Sequence, residues 1–189
     1  MESTAAARLP PILAAYHAAW PQGGIEVVTG TSGAVAAKVR NYDIDAAFVA
    51  QPFSADGLAA IDAFKEELPL ISPLAWGAIT SARDLGDRTV IAFAAGCSYR
   101  RILESWLNHE GLAPGRVMEF ASYHAIVACV AAGSGVAIVP RSVLAVLGAE
   151  HSVCVSALSG SYAHAQTQLV WRADDDTPAL QALRQQLIA

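Results

Sequence analysis

The sequence contains no apolar run approaching the roughly 18–20 residues of a membrane span. It also has no grouping of basic residues. Its 12 Lys and Arg are scattered among 17 Asp and Glu, with Arg100-Arg101 the nearest thing to a cluster and a net charge of −5. A nucleic-acid surface needs grouped cations to displace counterions from phosphates, so this chain alone is a poor candidate for one. The cysteines Cys97, Cys129 and Cys154 are odd in number and widely spaced, which fits neither a disulfide framework nor a CxxC metal site. A reducing cytoplasm is the expected location. Nucleotide signatures are missing too: TGTSG (29–33) lacks the GK[ST] ending of a Walker A loop, Lys38 comes too late, and no GxGxxG follows a strand. GCS (96–98) and TSG (31–33) lack the surroundings of a nucleophile elbow. The first twenty residues, MESTAAARLPPILAAYHAAW, have no charged region ahead of their apolar part and carry Glu2, Arg8 and Pro10-Pro11. They read as an amphipathic helix of the fold, not a secretory signal.

What is present is a globular composition, 54% apolar and 15% charged over 189 residues, enough for one large domain or two small lobes. Helical spacing predicts helices over Thr4–Trp20, Ala34–Arg40, Tyr99–Glu110, Tyr123–Ala132 and Pro178–Ile188, the last with Thr177 as N-cap and proline at N1. Between them, short apolar runs predict buried strands at 25–29, 46–50, 68–72, 89–93, 117–120, 135–140 and 167–171. Several do not alternate with polar residues, as in parallel strands covered on both faces. Strand and helix alternate, so the class is α/β. A weak repeat relates 25–50 to 116–140, each an apolar strand, a hydroxylated turn, a short helix and a second apolar strand.

Ligands of open parallel sheets sit beyond the carboxyl ends of the strands, where helices begin. Small hydroxylated residues mark four such places: Ser3-Thr4, Thr29 to Gly33, Gly96-Cys97-Ser98, and Ser122-Tyr123. Singly, each reads as an ordinary N-cap worth about 1 kcal/mol. Together, at one end of a two-lobed sheet protein, they point to a cleft whose free N–H groups and helix dipoles attract an anion.

The stretches ESTAAARLPPILAAYHAAWPQGGIEVVTGTSGAVAAKVRNYDIDAAFV, EELPLISP, RTVIAFAAGCSYRRILESWL, ASYHAIVACVAAGSGVAIVPRSVL and TQLVWRADDDTPALQALRQQL span nearly the whole chain. In that order they resemble the effector-binding domain of LysR-type transcriptional regulators. The resemblance implies a type 2 periplasmic-binding-protein-like fold of two Rossmann-like lobes. Lobe I would comprise 1–72 with 161–189, lobe II 73–160, and the crossings would fall near 68–75 and 153–160. It implies a small-molecule effector, expected to be anionic, bound between the lobes. Ser3, Thr4, Thr31, Ser32, Gln51 and Phe53 of lobe I would line the site with Gly96, Cys97, Ser98, Ser122 and Tyr123 of lobe II, Tyr99 being a further candidate. Tyr99 and Tyr123 read equally as packing residues. A homodimer of antiparallel domains is implied, and a tetramer in the full-length protein. DNA would be met only through a winged helix-turn-helix that has no counterpart here. No cofactor, metal, membrane contact or catalysis is implied. In the family a short strand stands immediately before the position of Glu2-Ser3-Thr4. This chain begins at Met1, as though cut after that strand, which implies a gap in the lobe I sheet.

Cys97 raises two other readings. Beside a helix N-terminus and followed by Arg100 and Arg101, its thiol is expected to have a lowered pKa, as a nucleophile or a redox sensor would. Catalysis needs a base in reach, for which His124 is the best candidate; His109 lies three turns along the same helix. Neither Cys129 nor Cys154 stands out as an exposed resolving partner for redox chemistry. The reading preferred here makes Cys97 part of a pocket wall. An alternative from another class is the solute-binding protein of a transporter, which shares the fold. Trp20, Trp106 and Trp171 are expected in the core, His17 on the surface, and Asp174 to Thr177 as an acidic loop.

Overall fold

The structure, a computed structural model, describes residues 1–53 and 57–188. In chain order its elements are α1 (Glu2–Ala7), α2 (Leu9–Ala19), α3 (Ser32–Arg40), β1 (Ala46–Ala50), β2 (Leu58–Glu67), β3 (Leu70–Ser72), β4 (Val90–Ala92), α4 (Ser98–His109), β5 (Val117–Glu119), α5 (Tyr123–Ala131), β6 (Ala137–Ile138), α6 (Arg141–Leu147), β7 (Cys154–Ser156), β8 (His164–Arg172) and α7 (Pro178–Ile188). The chain forms two compact units, Met1–Phe64 with Gln166–Ala189, and Lys65–Ala165. The segments 68–75 and 153–160 both lie in the second unit, where they supply β3 and β7.

In the first unit β8 lies between β1 and β2, with Ala46 opposite Trp171 and Ala50 opposite Thr167 in antiparallel register. Alternation along the strands sends Ala47, Val49 and Val170 to one face, against Val35, Ala36 and Val39 of α3. Phe48, Leu169 and Trp171 point to the other face, against Leu9 of α2 and Leu180 of α7. Arg172 ties the unit together. Its Nη1 donates to the carbonyls of Val39 and Ile44, both at 2.9 Å, and its Nη2 to Asp175 at 2.7 Å. Its guanidinium also lies over the Tyr42 ring, 4.4 Å from the centroid.

In the second unit β3 pairs antiparallel with both β6 and β7, while β4 and β5 run parallel. A parallel bridge between Val90 and Val136 joins β4 to the residues leading into β6. Helix α5 packs on β3, β4 and β6, around the fully buried Leu70, Ile71, Ile91 and Ile126. Gly135 is pressed against β4. A Cβ there would collide with the Thr89 carbonyl oxygen and stand 3.0 Å from Ile91 Cγ1.

Several sequence expectations are corrected. The helix expected over 4–20 is two helices, because Pro10 and Pro11 lack the N–H that would continue α1. The break falls at Arg8 (φ −115°, ψ −36°), whose N–H donates to Thr4 O at 2.9 Å. Trp20 is not core but 49% exposed, since the chain leaves helical geometry there (φ −133°, ψ 71°) and takes the ring off the apolar stripe. Residues 25–29 form no strand. No ladder flanks them among the described residues, and Val27 and Val28 are exposed. Parallel pairing is confined to β4, β5 and the Val136 bridge, while the β1–β8 and β3 ladders are antiparallel. Three elements had no counterpart in the expectations as regular structure: β2, α6 and β7.

Candidate functional site

In the first unit, α3 begins where β1 ends. Thr31 caps the helix, its Oγ1 accepting from the Ala34 N–H at 3.3 Å. Ser32 is buried, and its Oγ accepts the Ala50 N–H at 3.1 Å, pinning the helix start to the end of β1. It also lies 3.4 Å from the Met1 sulfur. Ser3 and Thr4 are buried on α1. Gln51 follows β1 across a cis peptide to Pro52. Its Nε2 donates to Gln168 Oε1 at 3.1 Å and its Oε1 accepts the Phe53 N–H at 3.2 Å. Gln168 Nε2 in turn donates to Asp62 at 2.8 Å, so a chain of amides crosses the sheet from β1 to β2. Phe53 packs on the Val35 and Val49 cluster, with the Arg40 guanidinium 5.9 Å from its ring centroid. One residue here escaped the sequence reading. Thr167 is fully buried opposite Ala50, and its Oγ1 has no hydrogen-bond partner among the described residues. A threonine inside a strand pattern gives no sequence signal that its hydroxyl will be unmatched.

In the second unit, β4 and β5 end side by side, Ala92 opposite Glu119, and each leads into a helix. Gly96 turns the chain at φ +92°, a conformation that glycine adopts without steric cost. Cys97 follows at the N-cap of α4, and Ser122 occupies the N-cap of α5. The start of α5 is not closed by a cap bond from the Ser122 side chain, unlike that of α3. Ser98 and Tyr99 are buried in the first turn of α4. Tyr123 is buried and lies against Phe93, ring centroids 4.7 Å apart, which binds the end of β4 to the start of α5. Its ring therefore packs the turn.

The Cys97 expectation is corrected. Burial pushes the half-buried thiol above its ordinary pKa, and the Arg100 and Tyr99 N–H groups and the charges of Arg100 and Arg101 only partly offset this. The Arg100 guanidinium is engaged elsewhere. Its Nε donates to Glu104 at 2.8 Å, and its Nη1 donates to Glu119 and to the Phe93 carbonyl. A thiol held protonated in this way is a poor nucleophile at neutral pH. Alkylation of Cys97 by iodoacetamide is therefore expected to be slow at pH 7, and to keep accelerating at alkaline pH where an ordinary thiol has levelled off. Fast labelling at pH 7 contradicts that. His124 is exposed on α5, and no group of three or more metal-ligating side chains occurs among the described residues.

The α/β fold is of the type 2 periplasmic-binding-protein-like class. The family described as LysR substrate binding domain matches residues 1–189, and the chain belongs to it. The chain is 35% identical over 183 residues to the HTH-type transcriptional regulator GltR of Bacillus subtilis (strain 168), covering 96% of itself and 62% of GltR. It is 34% identical over 167 residues to the HTH-type transcriptional regulator SoxR of Arthrobacter sp. (strain TE1826), covering 88% of itself and 57% of that protein. The chain thus spans about three fifths of the length of these regulators. The crystal structure of the effector binding domain of a BenM variant superposes with a TM-score of 0.78 at 19% identity, covering 98% of this chain and 88% of that one. Domains of this family are regulatory rather than catalytic. Among the described residues no helix is long and apolar enough to cross a membrane.

Proposed function

We propose that this chain is the effector-binding and oligomerisation part of a cytoplasmic LysR-type transcription regulator, and that a small anionic metabolite is held by turns from both units. The observation that carries this reading is the pair of helix starts at Cys97 and Ser122. Both follow parallel strands, so the positive ends of two helix dipoles stand at the carboxyl ends of β4 and β5, which favours an oxyanion there. Thr31, Gln51 and the buried Ser3 and Thr4 supply polar groups from the other unit. Ser32 and Phe53, which bind Ala50 and the local core, act as its frame.

The effector shifts the population between arrangements of the units, and so regulates a DNA-binding module elsewhere in a longer protein. The chain pairs with a second copy in antiparallel fashion, and the full-length regulator is a tetramer. The reading as a transporter's solute-binding protein and the reading as a thiol-based sensor are both less well supported. The relatives are named as regulators, and Cys97 is half-buried with a raised pKa.

A thermal-shift screen of small carboxylates, aromatic acids, amino acids and peroxide, run on the wild type and Cys97→Ser, tests this reading. A metabolite that raises the Tm of both proteins is expected. A response to peroxide alone, lost in the variant, overturns it.

A further inference from the structure

The second unit also carries a groove of about 570 Å³ that none of the turns above lines. Thr89 and Arg116, which line it, come immediately before β4 and β5, and its Ser134 precedes the Val136 bridge. The groove therefore lies at the amino ends of the parallel strands whose carboxyl ends lead to Cys97 and Ser122. Its lining brings Arg83 and Arg88, neighbours along one segment, together with Arg116 from just before β5.

Arg88 is already fixed in place. Its Nη1 donates to the Asp84 carbonyl at 2.9 Å, and its guanidinium lies over the Trp76 ring, 4.4 Å from the centroid. A guanidinium has five N–H donors in a rigid fork, so one bond to a carbonyl leaves most of that fork for a ligand. The Arg116 side chain is exposed and has no hydrogen bond or ion pair among the described residues, while its backbone carbonyl accepts the Val90 N–H at 2.9 Å. Arg83 is 75% exposed and shares its charge with Glu110 at 3.2 Å.

The acids in the groove compete less than their number implies. The Asp84 carboxylate faces the turn before it, accepting from the Thr80 and Ser81 N–H groups at 3.0 and 2.9 Å and from Thr80 Oγ1 at 3.2 Å. Those backbone bonds, Ser81's first, hold it below the usual carboxylate pKa, with the charge of Arg88 a smaller contribution. Asp87 is the remaining acid of the lining.

We propose that this groove is a second ligand site, for a small oxyanion carrying two or more negative charges, such as a phosphate ester or a polycarboxylate. Arg88 supplies a preset fork over Trp76, and Arg116 closes on the anion from the strand beside it. Charge-assisted bonds from two guanidiniums are the natural match for such a group. The proposal does not depend on the effector reading, since the two sets of residues lie at opposite ends of β4.

Pyrophosphate titrated into the protein, with KCl holding ionic strength constant, tests it through tryptophan fluorescence and thermal shift together. A saturable response by both is expected. Arg116→Ala, an exposed substitution that leaves folding intact, is expected to weaken the midpoint by about tenfold. Trp76→Phe should remove the fluorescence change while the thermal shift persists. A response that never saturates, that KCl alone reproduces, or that is unchanged in Arg116→Ala overturns the proposal.

Discussion

Alanine in place of Gly135 is expected to destabilise the protein by about 3 kcal/mol or more, at the upper end of what overpacking costs. The added methyl would meet the Thr89 carbonyl oxygen, which belongs to the backbone and has no rotamer to escape into, with Ile91 Cγ1 3.0 Å away on the same side. Thr89 O also accepts the Val136 N–H at 3.0 Å, and Ile91 donates to Val136 O at 2.7 Å. Relieving the collision therefore parts the strand from β4 and breaks the bonds that join the two halves of the second unit's sheet. Gly115→Ala is the control, because nothing lies within 4 Å of its Cβ position; it is expected to be neutral within about 0.5 kcal/mol. Urea unfolding of both variants checks this, and an unchanged midpoint for Gly135→Ala contradicts it.

Arg172→Ala is expected to have an effect of similar size in the first unit, about 3–5 kcal/mol, because it removes one member of a mostly buried ion pair and leaves the other behind. The Arg172 and Asp175 side chains are only 13% and 8% exposed and meet at 2.7 Å. The same guanidinium serves the carbonyls of Val39 and Ile44, at the end of α3 and just before β1, so its loss leaves three acceptors short of a donor. Arg172→Lys should recover only part of the stability, since an ammonium cannot reproduce the planar fork or its stacking over Tyr42. The difference between the two variants in chemical denaturation is the measurement. Equal stability of Arg172→Ala and wild type contradicts this account.

How much of this was legible in the sequence depended on whether local pattern or tertiary context decided the outcome. Ala46 to Ala50 is a strand as read, and α4 follows from Ile102, Leu103, Trp106 and Leu107 falling on one buried face. Membership of the LysR substrate-binding family and the α/β class were both readable, because whole blocks of sequence carry them. Residues 25–29 have the composition of a strand, but a strand exists only with a neighbour, and none flanks them among the described residues. The reverse holds for β2. LAAIDAFKEE is rich in alanine and charge and has little β propensity, yet it pairs beside β8. The direction of strand pairing was equally hidden, since apolar runs look the same in either sense.

At the candidate site, the starts of α3, α4 and α5 fall at the Ser, Thr and Gly turns read from the sequence, whereas Ser3 and Thr4 lie inside α1, whose N-cap is Met1. What each side chain does there was not readable. Ser32 is spent on the Ala50 N–H, Tyr123 on Phe93, and Arg100 on Glu104 and Glu119. Burial, which outweighs the nearby N–H groups and arginine charges, is why the local rule for a thiol at a helix start gave the wrong direction for Cys97. The arginine groove was invisible for another reason. Arg116 is distant in sequence from Arg83 and Arg88 and joins them only through the fold.

The central claim is that helix starts of both units take part in holding one anionic effector. Calorimetric titration of the metabolite found in the thermal screen into wild type, Thr31→Val and Ser122→Ala tests it most directly. The account predicts one site per chain, with affinity reduced in both variants while each still unfolds cooperatively. Undiminished affinity in both variants contradicts it.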